Sequence, residues 1–219
     1  MSEAAGRMIA GNIVQGIKKA GAVLGPGYVQ LAARYSTAFF AKLIGQTPPE
    51  VKDIDEALEY AIGNMKIFMN GYEAFAYGAL KAESTIQGAT GSVIRMVAKT
   101  STAHTFEEAG FGKALGKAST APEALRKYYS SLVKLGSMRE QDLKFTDSGA
   151  ELKLDIDNCP FADACLAAVA EGIPKILGGH ECVRILAFAT IIEVMTGRQQ
   201  DYKLTRLSPP KCGGTILQA

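Results

Sequence analysis

Between Leu143 and Asp157 the hydrophobic period of this chain drops from about four residues to two, and this change restricts the fold more than any other feature. Leu143 and Phe145 alternate with Lys144. Asp147-Ser148-Gly149 supplies a turn, and Leu152, Leu154 and Ile156 then alternate with Lys153, Asp155 and Asp157. The pattern predicts a hairpin with one apolar face and one wet face. Its apolar face must be covered, and the flanking segments carry helical spacing. The order of helices, hairpin, helix, helix and strand predicts an α+β protein: an antiparallel sheet covered by helices, with an N-terminal helical segment.

Upstream, Ile9, Ile13, Ile17 and Ala20 form a helical stripe, and Gly25-Pro26-Gly27 breaks it. A second helix is predicted over 28–44. Leu31, Tyr35, Ala38 and Phe39 lie on one face, which Phe40, Leu43 and Ile44 widen. So broad an apolar surface requires cover from the fold or from a second subunit. Residues 1–50 are therefore read as an N-terminal helical segment suited to homodimerisation, and 51–219 as the ligand-binding α+β domain. Asp53 to Glu56 and Thr120 to Glu123 read as capping boxes. The first opens a helix carrying Leu58, Ala61, Ile62, Met65 and Phe68 inward. The second opens one carrying Leu125, Tyr128, Tyr129, Leu132 and Leu135. Residues 71–119, rich in Gly, Ala, Ser and Thr, read as a candidate mobile lid. Within them Ser92–Val97 suits a short strand or a helical turn, and 106–117 a loop or broken helix. Downstream, helices are predicted over 161–170 and 180–195 and a last strand over 200–207, with Cys212-Gly213-Gly214 starting a turn.

A net charge of +2 with no Lys/Arg block gives no indication of nucleic acid. No apolar run reaches the roughly 18 residues of a membrane span. The N-terminus lacks the basic and apolar regions of a signal peptide, so a cytoplasmic location is expected. There cysteines are more often thiols or ligands than disulfides.

All four cysteines, Cys159, Cys165, Cys182 and Cys212, fall in the last third of the chain. Five, sixteen and twenty-nine residues separate them, unlike the spacing of a zinc ribbon. Convergence must come from the fold. Cys159 follows the hairpin and Cys212 the last strand, while Cys182 sits in the first turn of a helix, where the dipole favours a thiolate. These three, with Cys165 or His180, would make a closed tetrahedral zinc site, and four cysteines would also suit an iron–sulfur cluster. Equally, free cysteines serve as small buried hydrophobes. A nucleophilic Cys182 served by His180 is disfavoured, since side chains two apart on a helix do not face each other. His104 reads as a surface or core residue. Asp155, Asp157 and Asp163 read as solvated carboxylates rather than cation ligands. Tyr128, Tyr129, Phe145 and Phe161 suit either the core or the wall of an apolar pocket. No phosphate-binding, dinucleotide or hydrolase-elbow motif is present.

The run Leu152 to Pro160, then Glu181-Cys182, Glu193 to Gly197, Tyr202 to Thr205 and Cys212 resembles the 4-vinyl reductase-like domain over residues 140–217. That is a small-molecule-binding module related in fold to subunits of the TRAPP vesicle-tethering complex. The resemblance implies a sensor of hydrocarbon or aromatic ligands, with Cys182 and Cys212 matching two zinc-ligand cysteines of sensor-type members. Where those members carry a Glu and a further Cys, this chain has positions near Thr205 and Ser208. Cys159 and Cys165 would have to supply the missing ligands. The L-2-amino-thiazoline-4-carboxylate hydrolase-like proteins have a similar cysteine-bearing C-terminal layout, which keeps a hydrolase or reductase using Cys182 or a metal as an alternative. A structural assembly subunit is the third reading. The expectation is a cytoplasmic, homodimeric protein that binds a small apolar or aromatic molecule between helices and sheet.

Overall fold

The computed structural model describes residues 3–66 and 71–218. Phe68 lies outside the described residues. Seven helices come first: α1 (Glu3–Leu24), α2 (Pro26–Leu43), α3 (Ile54–Asn64), α4 (Glu73–Ser84), α5 (Ser92–Glu108), the short α6 (Phe111–Leu115) and α7 (Ala121–Lys134). The strands β1 (Leu143–Asp147) and β2 (Glu151–Ile156) follow, then α8 (Ala162–Ala170), the short α9 (Ile173–Ile176), α10 (Val183–Thr196), β3 (Gln200–Ser208) and β4 (Lys211–Gln218). The strands form one antiparallel sheet in the order β1-β2-β4-β3, so the α+β class is as expected.

Both capping boxes form, each reaching one residue further back than the usual pattern. Asp53 accepts from the amides of Asp55 and Glu56, and Glu56 accepts from the Lys52 amide, all at 2.9 Å. Thr120 accepts from the Glu123 amide at 3.3 Å, and Glu123 from the Ser119 amide at 2.8 Å. Each satisfies amides that the first helical turn leaves unpaired.

The broad face of α2 is covered by α4 of the same chain, and Ala38 points to solvent. The approach is close because of Gly78. A Cβ there would stand 2.0 Å from Ser36 Oγ and 2.6 Å from the Ala32 carbonyl oxygen. Gly16 does the same for α1 on α5, where a Cβ would lie 2.8 Å from the Val97 carbonyl oxygen. Residues 71–119 are therefore not a lid. The small residues of α4 serve packing, and every residue from Ala74 to Leu80 is buried. Ser92–Val97 opens α5, and the glycine-rich stretch after it is the broken helix α5–α6, hinged at Gly110 with φ 71°.

On the sheet, Leu152, Leu154 and Ile156 are buried while Lys153 and Asp155 face water. Cys212-Gly213-Gly214 is not a turn. It lies within β4, the strand between β2 and β3, with Cys212 opposite Ile156 and Leu207. Gly214 is needed because α10 presses on the sheet there: a Cβ would meet Ile185 Cδ1 at 2.4 Å. Helix α10 is buried over nearly its whole length and has no wet face from Arg184 to Ile192, the mark of a central core helix. It starts at Val183, which leaves His180 and Glu181 in the preceding loop.

Candidate functional site

The first turn of α10 follows Cys182 and borders an apolar cavity. Cys159 follows β2, and its amide donates to the Pro210 carbonyl at 3.1 Å, tying it to the β3–β4 connection. Cys212 stands near the start of β4. Cys182 is the N-cap of α10. Its amide donates to the Tyr202 hydroxyl at 3.0 Å, and that hydroxyl donates to Glu181. Arg95 of α5 closes the group, pairing with Glu181 at 3.2 Å and Asp201 at 3.0 Å and lying over the Tyr202 ring. Cys165, on α8, is half-buried.

All four cysteines are unpaired, and they fall within electrostatic range of one another. Burial pushes the Cys159 thiol up to about 11 and the Cys182 thiol up to about 12. Cys165 is raised as well, by burial first and then by Cys182, Cys159 and Cys212. The amides of Ile185 and Arg184 draw the Cys182 value down, as a helix start should, but desolvation outweighs them. The thiol is therefore protonated near neutral pH, the unreactive form. Thiols are the right donor chemistry for zinc or an iron–sulfur cluster, and the four expected to converge are close enough to feel one another's charge. Among the described residues, no group of three His, Cys, Asp or Glu side chains is arranged to hold an ion. Thr205 and Ser208 are exposed on β3.

The other sequence candidates are dispersed. His104 is exposed on α5. His180 is half-buried, and burial lowers its pKa, which keeps the ring neutral. Asp155 pairs with Arg206 at 3.0 Å and Asp157 with Lys211 at 3.7 Å, while Asp163 is exposed, so these carboxylates are solvated as expected.

On the other side of the turn lies a cavity of about 70 Å³. Ile13 and Val97 line it from α1 and α5, Phe111 and Tyr128 from α6 and α7, and Phe161 and Arg184 from either side of the cysteine region. It sits among the helices, and no strand residue lines it, so it is not between helices and sheet. Of the four expected aromatic residues, Tyr128 and Phe161 reach it. Tyr129 instead donates to the Arg139 carbonyl at 2.5 Å, and Phe145 lies under Arg126.

Three charged residues that sequence reasoning passed over are buried here. Arg184 is 6% exposed and lines the cavity. Its guanidinium carbon is 4.7 Å from the centre of the Phe188 ring, one terminal nitrogen touches the Met138 sulfur, and its Nε has no hydrogen-bond partner. Glu73 accepts from the Ala164 amide at 3.2 Å, capping α8 from outside the helix. Glu83 caps α5 the same way, accepting from Val93 at 3.0 Å and Ile94 at 2.8 Å. Burial drives Glu73 up to about 8 and raises Glu83 too. In the sequence, Glu73 and Arg184 show only as a lone charge among apolar residues, and Glu83, flanked by Lys81 and Ser84, is not marked at all.

No known family model and no curated protein matches this chain. Among the described residues, no helix is long and apolar enough to cross a membrane.

Proposed function

We propose that this is a binding protein for a small apolar or aromatic molecule, held in the cavity beside the first turn of α10. The observation that carries the reading is the cavity itself. Protein interiors are close-packed, and a space of about 70 Å³ walled by apolar and aromatic side chains with a few polar groups has the lining of a ligand site at a smaller size than most. Tyr128, Phe111 and Phe161 supply flat apolar surface for such a molecule. Four unpaired cysteines belong in a reducing compartment, and the cytoplasm is the proposed location.

The test is to fill the space. Ala98, on the cavity wall and 2% exposed, is replaced by leucine. Octanol and phenylethanol are expected to bind the original protein, and Ala98→Leu to weaken both at least about tenfold while still folding. Equal binding to both forms, measured by calorimetry, would sink the reading.

A second reading concerns stability of the C-terminal segment: a zinc ion or iron–sulfur cluster held by Cys159, Cys165, Cys182 and Cys212. The gathering of four thiols from separate elements favours it. A bound cation would stabilise the thiolate forms of Cys159, Cys165 and Cys182 that burial now disfavours. Elemental analysis of protein purified without added metal is expected to find metal in stoichiometric amount, lost in Cys182→Ser. Protein containing neither zinc nor iron would end this second reading and leave the first untouched.

A further inference from the structure

We propose that the cavity selects an organic anion: a carboxylate borne on an aliphatic or aromatic body, with the carboxylate held by Arg184 and the body lying against α1 and α5. This rests on the reading that the cavity binds a small molecule, and it names the chemistry of that molecule.

The argument begins with what Arg184 lacks. A guanidinium stays charged inside a protein, and a buried charge is normally paired. Arg184 is 6% exposed, yet its Nε finds no acceptor, and its recorded contact beyond the Phe188 ring is the methionine sulfur of Met138, a weak acceptor. No carboxylate lines the cavity. The three buried acids among the described residues are engaged elsewhere, Glu73 and Glu83 at the starts of α8 and α5 and Asp142 by Arg139 and Asn158. The side chains at positions 1, 2, 67–70 and 219, outside the described residues, include no acid. Among the described residues no carboxylate side chain lines the cavity, and Arg184 Nε has no partner.

Its position sharpens the point. Arg184 is the second residue of α10, in the turn where the helix dipole is positive and a cation is disfavoured. Burial and dipole act in the same direction, and an anion relieves both. The planar fork of a guanidinium takes a carboxylate with two parallel hydrogen bonds, which an ammonium cannot do. Tyr128, close enough to Arg184 for its own titration to feel the charge, lines the same space and offers a hydroxyl donor beside it. The rest of the wall carries no charge: Ile9, Ile13 and Val97 are apolar, and Ser101, Thr102 and Thr105 offer hydroxyls only, so the ligand has one charged end.

The test compares acids with the alcohols of the same shape: octanoate with octanol, and phenylacetate with phenylethanol, by calorimetry at neutral pH. Each acid is expected to bind at least about tenfold more tightly than its alcohol. Arg184→Met should erase that preference while the alcohols still bind. Acids and alcohols binding equally, or alcohols binding where acids do not, would overturn the proposal and leave the cavity reading intact. If neither class binds, the cavity reading fails and the proposal falls with it. Should Arg184→Met not fold, the comparison on the original protein decides alone.

Discussion

Gly78→Val is expected to cost about 3 kcal/mol of stability, a large share of the roughly 5–15 kcal/mol that typically holds a domain folded. The reason is geometric. A Cβ at this position would overlap Ser36 Oγ at 2.0 Å, the Ala32 carbonyl oxygen at 2.6 Å and the Ser36 amide nitrogen at 2.8 Å. A serine rotamer could relieve the first contact. The other two are backbone, so relief requires α2 and α4 to move apart along a face that is buried on both sides. The matched control is Gly11→Ala, within α1, where a Cβ meets nothing within 4 Å. There the ordinary helix preference for alanine applies, with a gain of up to about 1 kcal/mol. Urea denaturation of the two variants checks both signs. Gly78→Val matching the original protein would refute the close approach of α2 and α4.

Stability is also expected to fall as pH rises from 4.5 towards about 8, with Glu73 responsible for a separable part of the slope. In the unfolded chain this carboxyl loses its proton near the ordinary value of 4.5, whereas in the fold burial holds the proton up to about 8. Between those values the folded state binds more protons than the unfolded one. Raising the pH therefore favours unfolding, by about 1.4 kcal/mol per unit for a fully separated pair of titrations. Below the window, both states hold the proton and the loss vanishes; above it, the loss is complete. Glu83 acts in the same direction, so the original protein should not become pH-independent when one of them is removed. Glu73→Gln retains an oxygen to accept from the Ala164 amide and removes the titration. Its stability, measured by urea denaturation across the window, is expected to decline less steeply than that of the original protein. Parallel slopes would show that Glu73 titrates normally.

The contrast between α4 and the β1–β2 hairpin explains what could be read from the chain. The hairpin was legible because only one face is buried, so Leu152, Leu154 and Ile156 alternate with charges. Helix α4 is buried nearly all round, which removes the polar face that gives a helix its period. Its small residues, needed for close packing, then look like those of a loop. Cys212-Gly213-Gly214 misled for the same reason: Gly214 is there to admit Ile185, and a glycine pair suggests a turn when the neighbour is unknown. Cys159, Cys182 and Cys212 could be placed at the edges of elements from the sequence, whereas Cys165 lies inside α8. Arg184 could not be foreseen, because its lack of a partner is a property of three dimensions. One charge in Val183-Arg184-Ile185-Leu186-Ala187-Phe188 shows only that something unusual occupies a core helix.

The placement of β4 inside the sheet bears on how the protein is made. Strand β2 finds one partner in β1 at once, across a turn of a few residues, but its other edge waits for residues 211–218. During synthesis α8, α9 and α10 emerge before that edge is filled. Until then the open side of β2 offers unpaired backbone groups to any extended segment, which is the usual route to misassembly. A nascent chain stalled before Lys211 should therefore depend on chaperones more than one stalled after Gln218.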